Sequence, residues 1–204
     1  MGKSLKRFEK VIKRSRDIIT MHSAVCKDQN LGTLEHSDLL RSALVMAVAG
    51  MDSYFTSRFT ENIVGYLKKN VPTSGMIEVL ASAGLDTRQA LEMLTMDRPY
   101  RRIRTLLDDH LFDHTTQRFD VIDKLFQVYK VKDLSKNAQG LSKRTELLKS
   151  VEIAVLRRHA IVHGADCNSH DKLSPIGDRW VKGKIDDVEL FVRKCDELIT
   201  KVIG

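Results

Sequence analysis

Eight turns of one apolar stripe constrain this chain more than any other feature. Leu40, Leu44, Val48, Met51, Phe55, Phe59, Ile63 and Leu67 recur at intervals of three and four residues, the period of an α-helix and not of a strand. The spacing predicts a helix over roughly 38–69, about 48 Å long at 1.5 Å per residue. A stripe of that length needs cover from end to end, which makes the helix the central element of a bundle. Gly50 and Gly65 weaken it slightly, and Asp52 stands among its apolar neighbours.

The same period recurs along the chain. Leu5, Phe8, Ile12, Ser15 and Ile19 predict a first helix over about 4–25. Residues 27–37 read as a connection, with Ser37 or Asp38 capping the long helix. Shorter helices are expected near 76–82, 86–96 and 100–111, punctuated by Gly84 and Pro99. Longer ones follow at about 115–131, 144–163 and 186–202. Residues 134–142 read as a polar linker, and the stretch with Pro175, Gly177, Trp180 and Gly183 as a loop anchored by the Trp180 side chain. Only 3 prolines and 11 glycines punctuate 204 residues, too few for a many-turned β-sandwich. The expectation is one all-α domain over 1–204, an antiparallel bundle with a basic helix at 1–26 and a core at 38–202.

Several functional classes drop out. Cys26, Cys167 and Cys195 are odd in number and lack CxxC spacing, so neither a disulfide framework nor a cysteine zinc site is indicated. The longest apolar run, 43–51, is too short to span a bilayer. The basic N-terminus has no apolar region after it, and Lys6 breaks the myristoylation pattern. A soluble, cytoplasmic protein without a membrane partner is expected. No GxxxxGK[ST], GxGxxG or GxSxG occurs, so phosphate-cradling loops and nucleophile elbows are not signalled.

What remains is charge and one helix. Lys and Arg number 34 against 27 Asp and Glu, a formal net charge of +7, which favours an anionic partner. Seven basic residues and two acids fall within residues 1–20, a local +5. Lys10 and Arg14 in that leader, and Arg98, Arg101, Arg102 and Arg104 further on, can follow a phosphate backbone, although charge runs are more often solvated helix faces. In the predicted helix at 144–163, Leu148, Val151, Val155 and Val162 form a stripe that Arg158 and His159 interrupt, with His163 beside it. Polar groups that break an apolar stripe face a cleft or an interface. Arg158 and His163 stand about 140° apart around the axis, too wide for an intimate pair within one helix. A two-fold partner presenting the same helix completes such a site. Imidazoles titrate near neutral pH. His163 can therefore take the 2′-hydroxyl proton of RNA or protonate the leaving oxygen, while Arg158 clamps the phosphate. His159, Asp166 and Asp52 are the candidate supporting groups, and Arg157 joins the cations as an RNA contact. The bland alternative is a salt-bridged arginine and a histidine at a helix C-terminus.

The run Arg158-His159-Ala160-Ile161-Val162-His163 resembles the RxxxxH signature of HEPN ribonucleases. The long helix around Leu44–Tyr54 and the stretch from Gly177 to Ile199 are similar to the RiboL-PSP-HEPN subgroup. The likeness covers about 38–70 and 140–202, leaving the leader and middle helices unmatched as extra elements. It implies a HEPN-type helical bundle, a homodimer and metal-independent RNA cleavage, often within toxin–antitoxin or antiphage systems with a partner protein. Arg158 and His163 take the catalytic positions, with no cofactor. His159 departs from the asparagine common after the arginine. Some members bind RNA, nucleotides or proteins without cutting, so a non-catalytic module is the alternative. A metal reading rests on His159 and His163 with Asp166, Cys167 and His170 nearby, and on His110 and His114 beside Asp109 and Asp113. HAIVH lacks the glutamate of HExxH, so no base is in place and no metal is expected.

Overall fold

The structure, a computed structural model, describes residues 2–27, 36–112 and 116–203. These residues form α1 (Lys3–Val25), α2 (Ser37–Lys69), α3 (Ser74–Ser82), α4 (Thr87–Met93), α5 (Pro99–Phe112), α6 (Phe119–Gln127), α7 (Leu134–Ser142), α8 (Leu147–Gly164) and α9 (Asp178–Ile203). The protein is all-α, as its periodicity predicts. No helix among the described residues is long and apolar enough to cross a membrane.

Helix α2 runs through the middle, with α1, α5, α6, α8 and α9 packed on it. The stripe legible in the sequence is therefore only one of its buried faces. Ala43, Ala47, Tyr54 and Tyr66 are buried as well, because neighbours surround the helix. Its aromatic side chains meet those of other elements in tilted and edge-to-face pairs. Phe55 and Phe126 have ring centroids 6.0 Å apart, and Phe55 lies 5.9 Å from Phe191 on α9. Such contacts add to the burial of the rings themselves.

Helix α1 buries the five predicted stripe residues, Leu5, Phe8, Ile12, Ser15 and Ile19. Gly50 allows it close to α2: a Cβ there would lie 2.7 Å from Cγ1 of Val11. Glu61 of α2 caps its start, accepting from the Lys3 N–H at 2.8 Å, the Ser4 N–H at 3.2 Å and the Ser4 hydroxyl at 2.6 Å. A carboxylate suits the positive end of a helix. Burial alone would raise the Glu61 carboxyl, but the bonds from Ser4 and Lys3, with Arg58 nearby, outweigh it and hold the group below its ordinary range. Along α9, Arg16 pairs with Glu189 at 2.7 Å, and Arg193 reaches back to Glu9 at 2.8 Å.

Five local expectations need correction. Ser37 opens α2 instead of capping it, and its hydroxyl accepts from Arg41. Residues 28–35 of the predicted connection lie outside the described residues. The predicted polar linker is helix α7, which buries Leu134, Ser135 and Ala138 and packs mainly on α9. Helix α9 begins at Asp178, not near 186, because Val181, Ile185, Val188 and Val192 already make a buried line. Trp180 therefore stands in its first turn, 38% exposed, with Lys184 Nζ 5.6 Å from the ring, and anchors no loop. The helix expected over 115–131 is only α6, since Thr116 and Gln117 are tied to Asp52 instead.

Candidate functional site

Helix α8 buries Leu147, Val151 and Ala154. At about 100° per residue, Arg158 falls within about 20° of Val151, on the core-facing line. The stripe read from the sequence lies about 60° off this line. Val162 is 48% exposed, and His159 faces outward. The last turn has little bundle over it: Ala160, Val162, His163 and Gly164 are all exposed. Hydrophobicity alone assigned Val162 to a core that ends before it.

Arg158 is half-buried, and its Nε is fully buried with no hydrogen-bond partner. Among the described residues it belongs to no ion pair. Arg157 Nε is likewise buried without a partner among the described residues, so what sets Arg158 apart is its lack of an ion pair. On the other side of the helix, Ile153, Leu156 and Ala160 form an uncovered apolar strip. His159 and His163 border it, with ring centroids 4.3 Å apart and planes inclined at 45°.

A buried clasp fixes the end of this helix. The chain leaves α8 through two left-handed residues, Ala165 at φ 49° and Asp166 at φ 58°, and the Asp166 N–H donates to the Ala160 carbonyl at 3.1 Å. The Asp166 carboxylate, 2% exposed, accepts from Arg41 Nε and Arg157 Nη2, each at 2.8 Å. Both guanidiniums also donate to the Ser174 carbonyl, at 2.7 and 3.1 Å. A bridge between Cys167 and Leu173 closes the loop. Two arginines on one buried carboxylate thus join the start of α2, the end of α8 and the loop before α9.

The predicted site residues separate accordingly. Arg158 and His163 share the last turns of α8, with His159 beside His163. Asp166 supports this turn through the clasp. Arg157, expected as an RNA contact, is instead engaged by Asp166 and the Ser174 and Pro175 carbonyls. Asp52 is elsewhere: eleven residues from Arg41 along α2, it is about 16 Å away. Its carboxylate accepts from the Thr116 N–H and hydroxyl, both at 2.6 Å, and from the Gln117 amide at 2.8 Å. It pins the segment before α6 and not the α8 turn. Lys10 and Arg14 are exposed on α1, and Arg101, Arg102 and Arg104 on α5. Both helices pack on α2, whereas α8 packs on α2, α7 and α9.

Arg41 and Ser174 are the groups that sequence reasoning missed. Arg41 did carry a signal, a cation directly after stripe residue Leu40 in a helix buried on several faces. Ser174 carried none, because it contributes only backbone. Among the described residues, no three potential metal ligands converge, and Asp113 and His114 lie outside those residues. The three cysteines are unpaired, and burial pushes the Cys195 thiol well up.

An all-α bundle with this late helix has the layout of a HEPN-type protein. The chain belongs to the RiboL-PSP-HEPN family, whose model matches residues 9–201. The match runs through the middle helices and most of α1, beyond the two stretches in which the residues alone showed a likeness. No curated protein and no solved structure matches the chain.

Proposed function

We propose that this protein is a metal-independent endoribonuclease whose reacting groups are Arg158 and His163, assembled across a two-fold dimer of α8 helices. One observation carries the reading: the end of α8 holds an arginine with no anion among the described residues and, five residues on, an exposed imidazole beside an uncovered apolar strip. The unpaired guanidinium suits a phosphate, and the strip suits a second copy of the same helix. Family membership is consistent with an RNA-related role.

In this scheme His163 takes the 2′-hydroxyl proton as that oxygen attacks the adjacent phosphorus. The bond from phosphorus to the 5′-oxygen breaks, and His163 of the partner subunit protonates the leaving oxygen. The products are a 2′,3′-cyclic phosphate and a 5′-hydroxyl. Arg158 stabilises the charge that builds on the phosphoryl oxygens. RNA is required, because DNA has no 2′-hydroxyl. His159 packs against His163 and orients it. A toxin or antiphage effector held in check by a partner protein fits an activity of this kind.

The test is cleavage of mixed cellular RNA in excess EDTA by the wild type and by Arg158→Ala and His163→Ala. Loss of EDTA-resistant cleavage in both folded variants is expected. Equal cleavage by all three proteins would overturn the assignment. No cleavage by the wild type would favour a module that binds RNA, a nucleotide or a protein without cutting it.

A further inference from the structure

A second feature of the molecule lies away from α8. A groove of about 780 Å3 opens between the last turns of α2 and the start of α5. Its walls carry Lys68, Arg98, Arg101 and Arg104 against the carboxylates of Asp97 and Asp108. Among the described residues, only Arg104 of these cations has an acidic partner, Asp108 at 3.6 Å. Tyr100 is half-buried in the wall, and Lys68 Nζ stands 5.5 Å from its ring centre. Among the described residues, three cations without an ion-pair partner, Lys68, Arg98 and Arg101, therefore share the groove with one aromatic ring, and Lys68 stands over that ring.

The arrangement works against the stability of α5. Arg101 and Arg102 crowd the positive end of the helix, whose first turn holds no acid, the reverse of what favours a helix. Such a cost is expected where the charges serve a ligand. A second hollow of about 400 Å3 shares Asp108 with the groove and is lined by Arg7 of α1 and Phe112, with Asp52 on the α2 side. Phe112 is 87% exposed. Tyr100 and Phe112 stand twelve residues apart on α5, about 18 Å along its axis. Cations beside an aromatic side chain are the elements that hold an unpaired strand, rings taking bases and cations taking phosphates.

We propose that the α2–α5 groove is a binding site for single-stranded RNA, separate from the α8 centre and able to hold the same strand that α8 cuts. This deepens the ribonuclease reading, because it assigns the substrate a second contact. The clasp at Arg41 and the groove at Lys68 are 27 residues apart on α2, about 40 Å. A strand touching both must be long, so cleavage of a short oligonucleotide does not depend on the groove.

The test measures binding without cleavage. His163→Ala protein is titrated into a fluorescently labelled 20-nucleotide single-stranded RNA and followed by anisotropy. It is compared with the same protein carrying Lys68→Ala, Arg98→Ala and Arg101→Ala together. A control with Lys124→Ala, Lys132→Ala and Lys136→Ala removes three exposed charges elsewhere. The groove triple is expected to raise Kd at least tenfold and to reduce the slope of log K against log salt by about 2, as loss of three single-strand phosphate contacts requires. The control should change Kd less than threefold. Equal losses in both triples would reduce the effect to net charge and overturn the site. A 20-base-pair RNA duplex bound as tightly, and weakened as much by the groove triple, would overturn the preference for single strands. Because the protein in every arm carries His163→Ala, the result stands apart from whether the wild type cuts RNA.

Discussion

At the scale of single residues, the group that organises the α8 turn is Asp166. It is buried between Arg41 and Arg157, and removing one member of a buried pair leaves the other charge without compensation. Asp166→Ala is expected to cost about 3–5 kcal/mol in chemical denaturation, since Arg41 stays buried. His163→Ala touches an exposed side chain and should change stability by no more than about 0.5 kcal/mol. Two partly buried glutamates, Glu189 and Glu61, contribute to the response to acid. Burial would raise Glu189, but hydrogen bonds from Arg193 and Arg16 outweigh it and lower the group, as those from Ser4 and Lys3 lower Glu61. With folded values below the ordinary 4.5, both contributions are complete above the unfolded pKa and vanish as pH falls through the folded values. Melting temperature should therefore drop below about pH 4.5, and Glu61→Gln should flatten the drop.

At the scale of elements, the two helical glycines of α2 separate propensity from packing. Gly65 has nothing within 4 Å of an added Cβ, whereas at Gly50 the Cβ would press on Val11. Gly65→Ala is expected to stabilise the protein by about 0.5–1 kcal/mol, the usual gain of alanine over glycine in a helix. Gly50→Ala should lose about 1–3 kcal/mol, because overpacking the α1–α2 contact outweighs the same gain. Urea unfolding of the two variants measures both signs. Equal stabilisation would mean that α1 moves aside freely. The periodicity of α2 was legible because its stripe repeats over eight turns. That of α7 was not, because Leu134, Ala138 and Leu141 are its only apolar positions in a short polar segment, and Leu141 stays exposed. Its burial comes from α9, a neighbour far along the chain.

At the scale of the whole molecule, the uncovered strip of α8 bears on association. Leu156 is 62% exposed on a helix whose other side packs into the bundle. If this strip joins two copies, Leu156→Asp should convert a dimer to a monomer in light scattering and lower RNA cleavage at least tenfold, with the melting temperature little changed. A wild type that is monomeric at micromolar concentration, yet cleaves RNA with Arg158 and His163, would place both groups in one protomer. The substitution sits on the surface, so lost activity cannot be put down to a collapsed core.

By itself the sequence determined the α-helical class, the central place of α2, the buried line of α1 and the run from Arg158 to His163. All of these rest on local spacing, which a helix converts directly into faces. The tertiary structure decided which of those faces are covered. It turned Val162 outward, engaged Arg157 with Asp166 and placed Asp52 beside Thr116, about 16 Å from the clasp. It also brought Arg41 to a carboxylate 125 residues later in the chain. Periodicity reports the direction in which a side chain leaves its own helix; what that side chain meets depends on the packing of the others.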